Sequence, residues 1–415
     1  MNEEMKNKVE EANSIATERI LKSTALLVNV RPAIEAIPSM KSNSILHAGP
    51  PIEWKRMCEP MKGAIVATII FEGLADDWDE AVKLIEQDEI VFSPNNEHNA
   101  VGPMAGIISP SLPVLVVKNE KYGNICYGRV VEQKIQYGVY KKTAINSELK
   151  FWSDTLAPAL GKALRRTKGI NLNSIMARSL HMGDELHNRS AAGTYLFANA
   201  ILPYLLEVLD KEELLKVIRY FSNNEIFFLC VSMAACKTIM NAAHDIEYST
   251  IVTVMARNGV NFGIKVSGLG DQWFVGQAGK IDGVYLPGYK PEDANPDMGD
   301  SAIIETAGIG AFVLANSPAI MSLIGGTARD LIKHTNNMRE ITVTVNERFS
   351  IPILDFRGAP TGIDIRKVVR TGILPVIDSA IAHKKAGVGM IGAGLVNPPL
   401  EVFKQALHTF NLRNK

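Results

Sequence analysis

The N-terminal part of the chain alternates short apolar runs with breaks at glycine and proline. The runs lie at residues 26–30, 64–71, 90–92 and 113–117. Apolar runs of this length, bounded by turn residues, are typical of strands or of buried helix segments. Ahead of them, the first twenty residues alternate acidic and basic side chains, which indicates a surface helix. The pattern predicts an N-terminal α/β domain over residues 1–150.

The middle of the chain changes to helical periodicity. Apolar residues recur at three- and four-residue spacing, with few glycines or prolines, in residues 156–164, 196–209, 212–221 and 227–244. This spacing places apolar side chains on one face of an α-helix. We therefore predict a helical domain over residues 151–246.

Short apolar runs separated by glycine return after this helical block. Strand candidates lie at residues 251–255, 262–266, 341–345 and 351–355, and an apolar stretch at 303–323 predicts a helix. A last helix begins near Pro399. These elements predict a second α/β domain over residues 247–415. The predicted fold class is mixed α/β, with two α/β domains and a helical domain between them.

Composition narrows the function classes. The 44 Lys and Arg residues balance the 44 Asp and Glu residues, so no overall field attracts nucleic acid or an anionic membrane. The cysteines form no CxxC pair, and no apolar leader precedes the first charged helix. Asn316, Ser317 and Pro318 interrupt the longest apolar stretch, which argues against a membrane span there. We expect a cytoplasmic protein with neither a membrane nor a nucleic-acid partner.

A glycine- and proline-rich loop at residues 47–64 carries a histidine and a lysine. One interpretation makes His47 an acid–base or anion-binding group and makes Lys62, with the amides around Gly63, part of an anion site. The other interpretation is a rigid double-proline turn with Trp54 in the core. Both remain open on the sequence alone.

The densest polar cluster occupies residues 181–189. On a helix, His181 would share a face with Glu185, and Asp184 would share a face with His187. Such pairs can bind a metal ion. The HExxH pattern of metalloproteases is absent, however, and this weakens the metal interpretation.

A helix start explains the same segment without a metal. In that interpretation Asp184 lies near the helix cap and Arg189 pairs with an acid. The polar side chains that follow then face a ligand. We therefore expect His187, Asn188 and Arg189 to take part in binding, and we expect no metal.

Residues 255–273 have the most features of a binding site. A short strand is bracketed by glycines and by polar or charged side chains. Glycine lets a backbone approach a ligand closely, its amides can hold a phosphate or carboxylate, and arginine offers a two-pronged donor. A hairpin with glycines at its turns is the alternative. The candidate binding residues here are Arg257, Asn258, Gly259, Ser267, Gly268 and Asp271.

Two further motifs are weaker. Residues 293–301 crowd carboxylates ahead of the predicted helix, where they could hold Mg²⁺, although Asp300 or Ser301 as a helix cap is the favoured interpretation. Residues 387–392 match GxGxxG. Too little chain follows them for a dinucleotide-binding unit, so we predict a turn that contacts phosphate or backbone.

Several of these blocks, in this order, resemble the signature blocks of the YlbE/AllG-like family, and the resemblance extends over residues 20–407. It implies that the chain acts with an FdrA-like subunit and a further small subunit, in an oligomer, as an oxamate carbamoyltransferase. The implied reaction converts oxalurate and phosphate into oxamate and carbamoyl phosphate during anaerobic allantoin breakdown. The Ser-Thr-Arg-Thr phosphate loop of other transcarbamoylases is absent. The blocks lie at residues 47–54, 183–189, 256–262, 267–273 and 295–301.

The residues and the resemblance together define one hypothesis. His47 and His187 assist proton transfer, while the binding groups named above hold a small anionic substrate. We expect these segments to converge on one cleft, with no metal and no cofactor. Two alternatives stay open. One is a non-catalytic scaffold or ligand-binding subunit, and the other is a metal-dependent hydrolase built on the cluster at residues 181–189.

Overall fold

The structure is a computed structural model that describes residues 3–130 and 134–414. Helices and small sheets alternate along the chain, which confirms the predicted mixed α/β class. The helices are α1 Glu3–Lys22, α2 Ala33–Ala36, α3 Glu59–Phe71, α4 Trp78–Glu86, α5 Lys142–Ala144, α6 Ala157–Leu164, α7 Leu172–His181, α8 Ala191–Val208, α9 Lys211–Asn223, α10 Phe228–Asn241, α11 Ile303–Thr306, α12 Met321–Ile324, α13 Ala328–Ile341, α14 Ile365–Thr371 and α15 Leu400–Arg413.

The strands pair mostly antiparallel, in sheets of two to five strands. The strands are β1 Ala25–Pro32, β2 Ser44–His47, β3 Val91–Pro94, β4 Ala100–Val101, β5 Pro113–Asn119, β6 Ile125–Arg129, β7 Ile170–Asn171, β8 Val252–Asn258, β9 Asn261–Val266, β10 Phe274–Gln277, β11 Asp282–Tyr285, β12 Met298–Gly299, β13 Thr342–Ile351, β14 Arg357–Ile363, β15 Ile377–Ala382 and β16 Met390–Val396. Their orders are β4-β6-β5-β1-β7, β10-β9-β8-β12, β11-β16-β15, β13-β14 and β2-β3.

Helix α10 packs on the five-stranded sheet and is buried along almost its whole length. It lies close to β6 because Gly128 has no side chain. A Cβ at this position would lie 2.7 Å from Cβ of Ala234 and 3.2 Å from the carbonyl oxygen of Cys230. Helix α6 packs on β1 of the same sheet. This sheet and helices α6 to α10 share one apolar core, and a second core lies around β8 to β10, β15, β16 and α13 to α15.

Most predicted elements are confirmed. Helices α6, α8, α9 and α10 correspond to the four helical runs predicted between residues 156 and 244. Strands β1, β3, β5, β8, β9 and β13 coincide with or overlap predicted strands, and α15 begins where the last helix is predicted. The run at residues 64–71, which fits either a strand or a buried helix, belongs to α3. Its length and continuous burial suit a core helix.

The helix predicted over residues 303–323 is wrong as a continuous element. The chain forms α11, then a 3-10 segment at Gly310–Asn316, and only later α12. Gly308 and Gly310 adopt φ angles of 90° and 65°, which an α-helix cannot contain. Pro318 then removes a backbone donor. Residues 303–317 are buried, but the backbone of the stretch is broken by turns, and Leu323 near its end is exposed.

The strand predicted at residues 351–355 is also wrong. Strand β13 ends at Ile351, and a 3-10 turn follows at Pro352–Leu354. Asp355 and Phe356 then take positive φ angles of 53° and 57°, which reverse the chain into β14. The apolar residues Ile351, Ile353 and Leu354 suggested a strand, although Pro352 and Asp355 are usual turn formers.

The predicted middle domain lies directly against strands of the predicted N-terminal domain. Besides the contacts of α6 and α10, strand β7 from the middle segment pairs with β1 at the edge of the five-stranded sheet. The division of the chain at residues 150 and 246 stays a prediction.

Within the described residues, α8 is the one helix long and apolar enough to cross a membrane by length and composition. Core helices of globular proteins meet the same criterion. Its side chains Phe197, Ile201 and Leu205 are buried in the first core. The packing of α8 is therefore that of a core helix along one face.

Replacing Phe197 by alanine tests this aromatic part of the core. The ring is fully buried, with its centroid 5.5 Å from that of Phe227 and 6.0 Å from that of Phe221. Because the cavity left behind cannot collapse fully, we expect Phe197→Ala to lower the free energy of unfolding by about 3–5 kcal/mol. Chemical denaturation measures the difference. Leu206→Ala on the exposed face of α8 is the control and should stay within about 0.5 kcal/mol of the parent. Equal losses in both variants would contradict the assigned packing.

Candidate active site

The loop between α7 and α8 carries the polar cluster identified in the sequence. Leu186 takes a φ angle of 77° in the loop, so the chain turns sharply here. The carboxylate of Glu185 holds this turn, because it accepts hydrogen bonds from the backbone N–H groups of His187 at 2.8 Å and Arg189 at 2.5 Å. The turn fixes the position of the His187 ring.

The metal-binding pairs predicted on a helix within this cluster do not form, because residues 182–190 are not helical. His181 ends α7 and is exposed. Asp184 instead accepts a hydrogen bond from Gly193 N, in the first turn of α8, at 2.9 Å. Arg189 Nε lies 3.8 Å from Asp184. These contacts favour the helix-start interpretation of this segment, with α8 itself beginning at Ala191.

His187 contacts two carboxylates from distant parts of the chain. Its Nδ1 lies 2.8 Å from Oε1 of Glu305 on α11 and 2.9 Å from Oδ1 of Asp378 on β15. All of these side chains, and that of Glu185, are at most 3% exposed. We call these four residues the acid–histidine cluster. Such a concentration of ionisable groups in a protein interior is a feature of functional sites.

Burial and mutual charge set the protonation of the acid–histidine cluster. Burial raises the pKa of Glu305 to about 7 and raises the pKa of Glu185 well above its usual range. Burial alone would lower the pKa of His187, but the charges of Glu305 and Asp378 outweigh it and raise this pKa. Burial would likewise raise the pKa of Asp378, and the His187 charge reverses that shift. Protons and opposite charges thus reduce the net charge that the cluster buries.

His187 lines a narrow cavity between its own loop, β15 and the segment that precedes α11. Apolar side chains with a few polar groups form the wall, which is the usual character of a small-ligand site. Because Nδ1 faces the carboxylates, Nε2 is the ring nitrogen left for a ligand. The polar wall residues are Gln136, Tyr137, His187, Asn188, Ser301 and Ser379.

Asn188 supplies a free donor at this cavity. Its Nδ2 is buried and has no hydrogen-bond partner in the part of the chain that the structure describes. An unpaired buried donor costs about 1–3 kcal/mol, so its retention favours a ligand oxygen as the missing partner. The placement of His187 and Asn188 side by side on one cavity agrees with the binding role predicted for both.

Arg257 lies behind the cavity wall and is fully buried. Its Nε and Nη2 donate to the two carboxylate oxygens of Asp297 at 2.6 and 2.9 Å. Its Nη1 and Nη2 also reach the hydroxyls of Ser301 at 3.3 Å and Ser379 at 3.1 Å. These donors already have internal partners, and the predicted anion-binding role of Arg257 stays a prediction. In this structure Arg257 orients two serines of the wall.

Asp300 ties the segments around the cavity together. One carboxylate oxygen accepts hydrogen bonds from Gly49 N and Asn96 Nδ2, and the other accepts them from Asn95 Nδ2 and Gly102 N, at 2.9 to 3.0 Å. Burial raises the pKa of this carboxyl to about 6. Asp300 is neither a Mg²⁺ ligand nor the predicted helix cap here, because its acceptors hold three separate loops to the start of α11.

His47 lies in the core and outside the cavity wall. Its Nδ1 lies 2.9 Å from the carbonyl oxygen of Ala48 and therefore donates to it. Burial lowers the pKa of His47 to about 4, so the ring is neutral at physiological pH. The predicted proton-transfer role of His47 has no route to the cavity in this structure.

Lys62 also lies away from the cavity wall. Its Nζ pairs with Glu59 on the same helix at 3.2 Å and lies 5.6 Å from the ring centre of Trp54. The interpretation in which this loop supports the fold is favoured by these contacts. The predicted binding role of Lys62 at a shared cleft is not supported.

Asn258 and Gly259 form the turn between β8 and β9. Asn258 Oδ1 accepts hydrogen bonds from the backbone N–H groups of Val260 at 3.1 Å and Asn261 at 2.7 Å. Gly259 takes a φ angle of 81°, and a Cβ there would lie 2.5 Å from Sγ of Cys58. Both residues thus serve the hairpin, which was the alternative to a binding role.

Ser267, Gly268 and Asp271 also lie outside the cavity wall. Ser267 Oγ donates to the carbonyl oxygen of Ala243 at 2.6 Å, and Asp271 pairs with Lys265 at 3.0 Å. A Cβ at Gly268 would lie 2.6 Å from a backbone oxygen, so this glycine permits close packing. Of the predicted residues, His187 and Asn188 therefore line one cavity with Arg257 behind its wall, while Arg189 and the residues of this paragraph lie outside the wall.

Two residues of the site were missed in the sequence. Glu305 is a lone acid in the apolar stretch before Gly308, and Asp378 is a lone acid in the apolar strand β15. A charged residue within a buried run is rare unless it is paired or functional. A charged residue within an apolar run could have identified each acid individually. It could not have predicted that both carboxylates contact the His187 ring.

A larger hollow elsewhere, lined by Trp152, Tyr220 and Arg219 among others, contains none of the predicted site residues. The small cavity at His187 is the better candidate because buried ionisable groups and an unpaired donor meet there.

Comparison with known proteins finds relatives along nearly the whole chain. The chain is 47% identical over 405 residues to the uncharacterized protein YahG of Escherichia coli K12, covering 97% of this chain and 86% of YahG. It is 41% identical over 406 residues to the oxamate carbamoyltransferase subunit AllG of the same organism, covering 96% of this chain and 97% of AllG.

A solved structure has the same fold. The crystal structure of a conserved protein of unknown function from Enterococcus faecalis V583 superposes with a TM-score of 0.97 at 44% identity, over 98% of this chain and 99% of that one. Residues 90–301 match the family described as oxamate carbamoyltransferase subunit AllG, and they include His187 and Arg257. With this match and the nearly full-length relatives together, the chain belongs to the AllG family.

Proposed function

We propose that this chain is a subunit of an oxamate carbamoyltransferase-type enzyme and that the cavity at His187 is its substrate site. The reaction converts oxalurate and phosphate into oxamate and carbamoyl phosphate, in anaerobic allantoin and purine catabolism in the cytoplasm. The observation that carries the proposal is the buried, unpaired Nδ2 of Asn188 beside His187 on one cavity. The name of the 41% identical relative AllG supplies the reaction class.

The cavity chemistry suits a small planar substrate with amide and carboxylate oxygens. Asn188 Nδ2 donates to one such oxygen, and Nε2 of His187 donates to or exchanges a proton with another. The hydroxyls of Ser301 and Ser379 add donors whose orientation is set by Arg257 behind them. Donors fixed in a water-poor wall stabilise the negative charge that develops on an oxygen during acyl transfer.

A partner subunit supplies what this cavity lacks. Phosphate and the substrate carboxylate are anions, yet among the described residues that line the cavity none is a lysine or arginine. Cations are the groups that hold phosphate most strongly. We therefore assign the phosphate contact to an FdrA-like subunit, with a further small subunit completing the oligomer. The narrowness of the cavity agrees with a site that opens or is completed on assembly.

The second candidate function is a non-catalytic ligand-binding or scaffold subunit of the same assembly. The absence of a cation from the described cavity wall favours it as well. The two candidates differ in what happens when the wall residues are replaced. A scaffold tolerates these changes in the assembled enzyme, whereas a catalytic subunit does not.

We expect His187→Gln to lower the rate of phosphate-dependent oxalurate cleavage by the full assembly about 10²- to 10⁴-fold, as loss of a proton-transfer group does. Carbamoyl phosphate formation measures the rate. His181→Gln, at an exposed histidine six residues earlier in the chain, is the control and should leave the rate unchanged. Size-exclusion chromatography confirms that both variants assemble. A fully active His187→Gln assembly would favour the scaffold function.

We expect Asn188→Ala to lower kcat/KM for oxalurate about 10- to 100-fold in the same assay, because a hydrogen bond to the substrate is lost. The variant should fold as stably as the parent, since Nδ2 has no partner among the described residues. Asn336→Ala on the exposed surface of α13 is the matched control. An unchanged kcat/KM in the Asn188 variant would remove this residue from the substrate site.

A further inference from the structure

The acid–histidine cluster contains more hydrogen-bond acceptors than its neighbours can satisfy. Nδ1 of His187 carries at most one hydrogen, and this hydrogen bonds to Oε1 of Glu305. With both acids ionised, Oε2 of Glu305 and both carboxylate oxygens of Asp378 are buried without a hydrogen-bond donor among the described residues. A proton on Glu305 or Glu185 lets that acid donate a hydrogen bond to Asp378. Asp378 is in ion-pair range of Nδ1 but not in hydrogen-bond geometry with it. These oxygens therefore face one another and the ring.

Buried carboxylates that face each other are stable only with a proton or a cation between them. Both carboxylates are fully buried, so bulk water cannot serve this purpose. Glu185 adds a third acid, although its oxygens are already occupied by the backbone N–H groups of its own turn. Either the shared protons described above or a bound cation can meet this requirement.

One ligand atom each from His187, Glu305 and Asp378 lies within 4.8 Å of the other two. Around one metal ion, bonds of about 2.0–2.2 Å to nitrogen and oxygen place three ligand atoms within this same distance of one another. The residues come from three elements that the fold holds rigidly, namely the loop before α8, α11 and β15. The arrangement therefore needs only small side-chain rotations to close on an ion.

We propose that Nδ1 of His187 and the carboxylates of Glu305 and Asp378 bind one divalent transition-metal ion, Mn²⁺ or Zn²⁺. An imidazole nitrogen with carboxylate oxygens suits these ions, whereas Mg²⁺ and Ca²⁺ prefer oxygen ligands throughout. The three protein ligands leave a coordination position open, as in catalytic rather than structural metal sites.

His187 is shared by the proposed metal site and the proposed substrate cavity. Its ring lines the cavity, whereas Glu305 and Asp378 are not lining residues, so the ion on Nδ1 lies behind the ring. Glu185 then orients the histidine by holding its backbone, a supporting role that commonly accompanies metal ligands. With the ion on Nδ1, Nε2 of His187 stays a hydrogen-bond donor toward the cavity. The metal site does not depend on the proposed carbamoyl transfer.

Metal content of the purified full-length chain tests the proposal without any substrate. We expect about one Mn²⁺ or Zn²⁺ per chain after expression in supplemented medium and purification without chelator, measured by plasma mass spectrometry. After removal of the ion with a chelator, calorimetric titration with Mn²⁺ or Zn²⁺ should restore one site, and Mg²⁺ should not compete at equal concentration. A chain that takes up neither transition ion overturns the proposal.

Asp378→Asn and Glu305→Gln locate the site. Each change keeps the side-chain shape and removes a charged ligand, so we expect the affinity for the ion to fall at least about 100-fold. Circular dichroism checks that the variants fold. If one of the two does not fold, the other still tests the site. Retention of the ion by a folded variant with unchanged affinity would overturn the proposal.

Asp271→Asn is the control for nonspecific binding of the metal ion at the protein surface. Asp271 is exposed and lies 3.4 Å from Nε2 of His244, so this pair offers the same ligand types outside the cluster. We expect this variant to bind the ion as the parent does, and loss of the ion here would overturn the proposal. Because metal content is measured without partners, its outcome is separate from that of the oxalurate assay.

Discussion

The structure around the candidate site depends on burying His187 together with the carboxylates of Glu305 and Asp378. Isolated charges of this kind are excluded from a protein interior by several kcal/mol each. Opposite charge and shared protons make their burial possible here, and they require three distant segments to meet within hydrogen-bond distance. A helix of four residues, a strand and a sharply turned loop are thereby held in one arrangement.

A second layer of polar contacts holds the cavity wall. Arg257 binds both oxygens of Asp297 and reaches the hydroxyls of the two wall serines. Asp300 accepts hydrogen bonds from three loops of the N-terminal part of the chain. Because nearly all of these donors and acceptors are paired, breaking one contact leaves an unsatisfied buried group. The hydrogen bonds between these buried polar groups therefore hold this part of the wall rigidly.

Under the proposed function, the rigid wall would suit chemistry on small anions. Preorganised donors cost no rearrangement when charge develops on a substrate oxygen. The same wall offers no cationic side chain among the described residues, so a complete site for phosphate requires another chain or a bound cation. Membership of the AllG family agrees with such a division of labour, since the family takes its name from a subunit of a larger enzyme.

The sequence by itself determined most element types, because periodicity and glycine or proline breaks act locally. It also indicated a binding role for His187 and Asn188. Only the tertiary structure decided which polar residues meet. Glu305 and Asp378 lie 118 and 191 residues from His187 in sequence, and no local pattern encodes their contact. The contacts of Arg257 could not be predicted for the same reason. They depend on the packing of β8 against β12 and β15, and not on the glycine-rich motif around Arg257.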